Sequence, residues 1–144
     1  MKWRRTAGAL MAAMVLAAGC SGAMTEKKSL YDRLGGKPAI QAVVDDFVGN
    51  VAADTRINRR FASTDIPHLK ASLVDQICAG TRGPCTYKGA DMKAVHRGMK
   101  VSVSQFNALA EDLQIAMDKQ NVPYWTQNRL IALLAPMERD IVTR

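Results

Sequence analysis

Apolar residues recur three or four positions apart along most of the chain, a spacing that places them on one face of a helix. The pattern is clearest in residues 37–53, 65–79 and 102–119, and again after Pro123. No run of β-branched residues alternates with polar ones, and no Asn-Gly or Asp-Gly turn joins two such runs. We therefore predict one all-α domain of about six helices, because about 115 residues suffice for a single core.

Residues that start and stop helices support these boundaries. Gly35 and Gly36 end a short first helix that begins at Ser29. Asp65 and Ser102 have the side chains that cap helix N-termini. Pro136 lies inside the last helix and should kink it, since proline has no N–H to donate.

The first nineteen residues have the layout of a signal peptide rather than of folded structure. Lys2, Arg4 and Arg5 precede an uncharged apolar run over residues 7–18, which is shorter than the roughly 20 residues that span a bilayer. The run ends in small residues and Cys20. An ordinary secretory signal cut near Gly19 would leave Cys20 as a free thiol.

The segment before Cys20 also resembles the bacterial lipobox, in which the cysteine is lipidated. Ala17 stands where the lipobox favours leucine, and Leu16 lies one position earlier. Ser21 replaces the aspartate that would retain a lipoprotein at the inner membrane. We prefer this interpretation, which predicts a signal peptide (1–19), a lipidated cysteine and tether (20–28) and a folded domain (29–144). The protein would be exported and anchored by lipid alone at the periplasmic face of the outer membrane.

Charge excludes one class of partner. The formal net charge is +7, and removal of the leader's three basic residues lowers it to +4. No cluster of lysine and arginine with interleaved aromatics occurs, so we expect no nucleic-acid partner.

The chain has two histidines, and His96 lies in the most unusual segment. On a short helix, Met92, Val95, His96 and Met99 would share one face. A histidine on an apolar face is either a hydrogen-bonded core residue or a metal ligand. This helix is short, follows a glycine-rich loop and has few long aliphatic side chains, so burial alone would hold it weakly.

Several motifs in order resemble those of the truncated haemoglobins, the two-on-two globins, and most closely their group one. They are the opening Tyr31-Asp32-Arg33-Leu34-Gly35-Gly36, an aromatic at Phe61, the loop Gly83-Pro84-Cys85-Thr86-Tyr87-Lys88-Gly89, and Met92-Lys93-Ala94-Val95-His96-Arg97-Gly98. Arg82 replaces the first glycine of the loop motif. Together they cover the whole predicted domain.

The resemblance implies an all-α truncated globin, a two-on-two helical sandwich around haem b, with His96 as the proximal ligand of the iron. Met92, Val95, Val101 and Phe106 would then line the proximal face. Phe61, Leu69 and Leu73 would line the distal face. His68, the other histidine, would point to the rim or to solvent.

Two positions depart from the family's pattern. Val48 stands where well-known group-one members have a tyrosine, and Leu73 stands where they often have a glutamine. Bound oxygen carries partial negative charge, and a hydrogen-bond donor stabilises it by roughly 1.5–3 kcal/mol. Without a donor, oxygen should leave faster, whereas the less polar carbon monoxide should be less affected.

We therefore expect a haem protein that reversibly binds oxygen, nitric oxide or carbon monoxide. The alternative is a haem-based redox or electron-transfer protein of the cell envelope, which would need a redox partner. Nitric-oxide dioxygenase or peroxidase-like activity stays open, and no catalytic residue is assigned. A third reading is a helical lipoprotein without haem that serves as an interaction module.

If Cys20 is lipidated, Cys78 and Cys85 are the two cysteines whose thiols remain. Disulfides persist in exported proteins, which makes a bridge between them attractive, although two unpaired thiols are the other reading. No Cys-x-x-Cys-His motif occurs, so covalent c-type haem attachment is not indicated.

Overall fold

The computed structural model describes residues 27–143, and the leader with Cys20 lies outside these residues. The described part is helical, with one isolated parallel bridge between Val101 and Val142 and no strand. Its α-helices are α1 (Leu30–Leu34), α2 (Gly36–Ala53), α3 (Ile66–Gly80), α4 (Met92–Val95), α5 (Val103–Lys119), α6 (Tyr124–Leu134) and α7 (Glu138–Ile141). Short 3-10 turns occur at Asn58–Phe61 and Ala135–Met137. The predicted all-α class is confirmed.

Within residues 27–143, no helix combines the length and the apolar character that crossing a membrane requires.

The predicted caps begin their helices. The Asp65 side chain accepts a hydrogen bond from the backbone N–H of His68, at 3.0 Å. Ser102 and Gln105 form a reciprocal capping box at the start of α5. Gly35 joins α1 to α2 at a φ of +98°, in the left-handed region that favours glycine.

Helix α2 lies at the centre of the domain and packs against α3 and α5. Its buried residues fall three or four apart, as the periodicity predicts: Ile40, Val43, Val44, Phe47, Val48 and Val51. They form one cluster with Val74 and Ile77 of α3 and with Leu113, Ala116 and Met117 of α5. The core therefore joins three helices that are far apart in sequence.

Polar contacts at the end of α5 hold it to α2. Asp46 of α2 accepts hydrogen bonds from the Lys119 ammonium and from the Gln120 amide. These hydrogen bonds lower the pKa of Asp46 below its ordinary value. By contrast, burial raises the pKa of Asp112, whose carboxyl lies inside the same helix pair.

Two expected helices end earlier than the periodicity predicts. Helix α4 ends at Val95, so His96 is its C-cap and Met99 lies in the following turn, not on a shared helical face. Gly98 has a φ of +77°, which is incompatible with continuing the helix. Helix α6 also ends early, at Leu134, and Pro136 lies in the 3-10 turn that follows. The residues flanking this turn keep right-handed helical dihedrals and lead directly into α7, so the proline distorts the last helix locally, as predicted.

A disulfide joins the end of α3 to the loop that leads to α4. The Sγ atoms of Cys78 and Cys85 are 1.98 Å apart, and Cys78 is fully buried. Gly83 lies within this small loop, and a Cβ there would approach Cys78 Sγ to 2.7 Å and the Tyr31 ring to 2.4 Å. Only glycine therefore fits beside the bridge.

Removal of the bridge should lower the free energy of unfolding. In the double variant Cys78→Ala/Cys85→Ala we expect a loss of about 2 kcal/mol, because the unfolded chain regains loop entropy. Urea unfolding of the oxidised wild type, the reduced wild type and the variant measures this loss. A reductant should destabilise the wild type and leave the double variant unchanged; equal stability of all three would contradict the prediction.

Candidate functional site

The ring of His96 is held in one orientation by its own helix. His96 Nδ1 lies 2.8 Å from the carbonyl oxygen of Met92, and a carbonyl can only accept. In the neutral ring, Nδ1 therefore carries the proton and donates it, and the lone pair is on Nε2. Asp91 caps this helix by accepting from the Ala94 N–H at 2.8 Å. The half-buried imidazole thus offers one fixed basic nitrogen.

Large apolar side chains near His96 in the chain face outward. Val95 is 41% exposed, Met99 is 50% exposed, and Val103 at the start of α5 is 49% exposed. Exposed apolar side chains concentrated in one region indicate a surface that binds an apolar partner. This part of the molecule therefore suits a flat apolar group better than a polar substrate.

The predicted distal residues belong to the central core or to α3. Val48 is buried on α2, and Phe61 and Leu73 are half-buried and pack against the same core cluster. Leu69 lies one turn before Leu73 and is also half-buried. These side chains are hydrocarbon or aromatic, so none of them can donate a hydrogen bond.

The predicted proximal residues lie apart from that cluster. Met92 begins α4 and Phe106 lies in α5, both half-buried, while Val101 is buried beside the bridge to Val142. The backbone N–H of Thr143 donates to the Val101 carbonyl at 3.2 Å. His68 is exposed on α3, as expected for a residue at the rim.

Arg60 is a residue that sequence reasoning missed. Its Nη1 donates to the carbonyl oxygen of Met99 at 2.6 Å, and its Nη2 donates to that of Lys100 at 3.0 Å. It thereby ties the turn after His96 to the 3-10 turn that contains Phe61. In the sequence, Arg60 lies in a polar, basic segment between two helices, and nothing there indicates this contact.

Gln76 was also missed. Its Nε2 lies 3.6 Å from the sulfur of Met92 and 3.6 Å from that of Met137, so it connects α3 to α4 and to the C-terminal turn. One sequence feature could have indicated this role: Gln76 is an amide three residues after Leu73, next to the apolar face of α3.

A metal cage made of protein side chains is not present among residues 27–143. No group of three or more His, Cys, Asp or Glu residues converges there. A metal held by His96 would need its remaining ligands from a bound group. An imidazole with a free Nε2 and apolar surroundings fits haem, whose macrocycle supplies four nitrogens.

Comparison with known proteins decides the family. The model of the bacterial-like globin family matches residues 29–143, which is most of the chain. This chain is a bacterial-like globin. A group 1 truncated hemoglobin, GlbN of Mycolicibacterium paratuberculosis, is 35% identical over 118 residues, which cover 82% of this chain and 87% of that protein. Within the family, this globin therefore belongs with the group 1 truncated haemoglobins.

Solved structures agree with this assignment. The Fe(III) form of the truncated hemoglobin of Tetrahymena pyriformis aligns with a TM-score of 0.78 at 28% identity, over 81% of this chain and 100% of that one. The cyanomet 2/2 hemoglobin of Synechococcus, a structure with covalently attached haem, gives a TM-score of 0.76 at 28% identity. This alignment covers 81% of this chain and 100% of the Synechococcus chain. The truncated two-on-two fold is confirmed.

Family membership establishes the general activity. Globins bind haem and, at its iron, a diatomic gas, so haem is the cofactor of this globin. The reading as an electron-transfer protein is not favoured by these matches, and neither is a helical module without haem. The assignment of individual side chains to the haem rests on the geometry described above.

Substitution of Arg60 should loosen the turn that follows His96. In Arg60→Gln we expect haem to dissociate roughly fivefold faster, the equivalent of one net hydrogen bond. Transfer of haem to an excess of apomyoglobin measures the rate. Arg59→Gln is the matched control, because Arg59 is exposed in the same turn and its side chain has no hydrogen bond among the described residues. Equal rates in both variants would contradict the role given to Arg60.

Proposed function

We propose that this globin holds haem through Nε2 of His96 and binds a diatomic gas in a pocket lined by Val48, Leu69 and Leu73. The observation that carries the proposal is the hydrogen bond from His96 Nδ1 to the Met92 carbonyl. It selects the tautomer in which Nε2 has a free lone pair, and it makes that nitrogen a better electron donor. A histidine that served only the core would have no need of a free nitrogen beside exposed apolar side chains.

When bound, haem supplies an iron with one coordination position left open for a gas. The protein would orient the haem and exclude water from the gas-binding site. The Met92 carbonyl and the Arg60 contacts hold the imidazole and the turn after it. Met92, Val101 and Phe106 would form the wall on the His96 side, and Phe61, which packs against the core, would contact the macrocycle.

The distal side chains favour a gas that stays nearly uncharged when bound over one that becomes partly negative. Val48 and Leu73 lack the hydroxyl and amide that would donate to oxygen, so oxygen gains no charge-assisted hydrogen bond. We therefore infer weak retention of oxygen and comparatively strong retention of carbon monoxide. Reversible gas binding, rather than tight oxygen storage, follows from this pocket.

The histidine assignment has a direct test in the domain of residues 21–144. We expect wild type loaded with haemin to show a stoichiometric Soret band, and His96→Ala to lose haem or change ligation. Added imidazole should restore the wild-type spectrum in His96→Ala, because it fills the space left by the side chain.

His68→Ala is the matched control and should keep the wild-type spectrum, since His68 is exposed on α3. If His68→Ala changed ligation and His96→Ala did not, the assignment would be wrong.

A donor introduced above the iron should retain oxygen. In Val48→Tyr we expect oxygen to dissociate on the order of 10-fold or more slowly, from one hydrogen bond to a charged acceptor. Val48→Phe is the control, because it adds the same ring without the hydroxyl. Stopped-flow rates for oxygen and carbon monoxide measure the effect, and Leu73→Gln repeats it at a half-buried site. Equal oxygen dissociation rates in Val48→Tyr and Val48→Phe would contradict the proposal of a donor-free pocket.

We also propose that the protein is exported and anchored through a lipid on Cys20 at the periplasmic face of the outer membrane. Support comes from the basic and apolar leader and from the small residues before Cys20. The Cys78–Cys85 disulfide is a further support, because such bonds persist in oxidising compartments.

A further inference from the structure

An aromatic and basic surface lies where α1 meets α6, at the start of the described chain. The guanidinium carbon of Arg33 lies 4.9 Å from the centroid of the Trp125 ring, and that of Arg129 lies 5.6 Å from it. Trp125 is nevertheless 55% exposed. Lys28 lines the same groove as Arg33 and Trp125. We call these residues, Lys28, Arg33, Trp125 and Arg129, the Trp125 surface.

The positive charge of this surface is only partly neutralised locally. Among residues 27–143, no carboxylate forms an ion pair with Lys28, Arg33 or Arg129. Asp32 lines the groove, but its Oδ2 accepts from the Ser29 backbone N–H at 3.0 Å and from the Ser29 hydroxyl at 2.7 Å. These hydrogen bonds, together with the nearby charge of Lys28, lower the pKa of Asp32. One carboxylate therefore offsets part of three positive charges, and the surface keeps a positive excess.

The chemistry of the surface suits phospholipid head groups. Tryptophan prefers the boundary between apolar and aqueous phases, and its neighbour Tyr124 is 69% exposed. An arginine stacked on an indole ring keeps the N–H groups in its own plane free, and these bind phosphate oxygens in a bidentate manner. Basic residues near an anionic membrane surface add an electrostatic attraction.

The position of the surface along the chain points to the same partner. Lys28 lies eight residues after Cys20, and eight extended residues reach at most about 28 Å. A lipid on Cys20 would therefore keep the Trp125 surface close to the membrane. A second copy of the chain or a distant protein would gain nothing from this short connection.

We propose that the Trp125 surface docks the globin domain on an anionic phospholipid membrane. This inference rests on the proposed anchor at Cys20 for its orientation, whereas the contact itself is made by the folded domain. Docking reduces the freedom of the tethered domain and presents the α1–α6 side to the membrane. The Trp125 surface and the acyl chain thus act as two linked membrane signals.

Vesicle binding by the unlipidated domain of residues 21–144 isolates the contact. This part folds on its own by the evidence above, since it contains the whole length that matches the Tetrahymena haemoglobin. We expect the haem-loaded domain to sediment with vesicles that contain 30% phosphatidylglycerol, and to remain free with pure phosphatidylcholine. Salt should weaken the binding. Absorbance of the haem in the pellet measures the bound fraction.

Substitutions identify the residues responsible. In Arg33→Gln/Arg129→Gln we expect affinity for the anionic vesicles to fall roughly 10- to 30-fold, from the loss of two charges near the surface. Arg59→Gln/Arg139→Gln removes the same charge elsewhere and should bind like wild type. Arg59 follows the far end of α2, which is about 27 Å long, and Arg139 lies in α7. Trp125→Ser should also weaken binding, because it removes the interfacial side chain.

Equal loss in both arginine pairs would overturn the proposal, since it would show a general charge effect. Absence of anionic vesicle binding by wild type would overturn it too, and so would self-association through Trp125, seen as a dimer by sedimentation equilibrium.

Fatty-acid labelling of the full chain and its Cys20→Ser variant tests the anchor separately. If the wild-type chain is labelled but its domain does not bind anionic vesicles through the Trp125 surface, the docking proposal is wrong and the anchor proposal stands. If the wild-type chain is not labelled but its domain still binds vesicles through Arg33 and Arg129, the anchor proposal is wrong and the docking contact stands.

Discussion

The domain depends on the burial of one face of α2 against two other helices at once. Val44 and Phe47 contribute to a cluster that α3 and α5 complete from separate parts of the chain. Burial of such side chains stabilises a fold by roughly 1.5–3 kcal/mol each. Because α2 contacts both partners, it sets the position of α3 with its distal residues and of α5 with Phe106. The candidate site is therefore arranged by the core and not by the short helix that contains His96.

Helix α4 contributes little burial of its own. It has one turn, and among the described residues it is held by the Asp91 cap, the Gln76 amide and the turn that Arg60 binds. The disulfide fixes the loop that leads into it. A weakly packed segment of this kind is suited to a cofactor site, since binding energy from the cofactor replaces the missing core contacts. The hydrogen bond from His96 Nδ1 to the Met92 carbonyl fixes the orientation of the histidine ring in this segment.

Sequence reasoning succeeded where a local rule applies. The caps at Asp65 and Ser102 depend on side chains a few residues from their partners, and the structure confirms them. It failed at α4, where a regular helical face through Met99 was expected. Gly98 is visible in the sequence as a helix stop, but α4 ends earlier still, at Val95. The contact from Arg60 to the following turn is not visible as a periodic pattern. The long-range partners of Gln76 escaped prediction for the same reason.

The sequence alone determined the helical class and the family motifs, and it singled out His96 as the candidate ligand, because periodicity, capping and motif order are properties of neighbouring residues. It also determined that Val48 and Leu73 are hydrocarbon at positions where the family has donors. Only the tertiary structure decided which ring nitrogen of His96 is free and that Cys78 and Cys85 are joined. It likewise brought Arg33 and Arg129 within cation–π distance of the Trp125 ring. Each of these depends on distances between atoms that the folded backbone brings together, and spacing along the chain does not specify such distances.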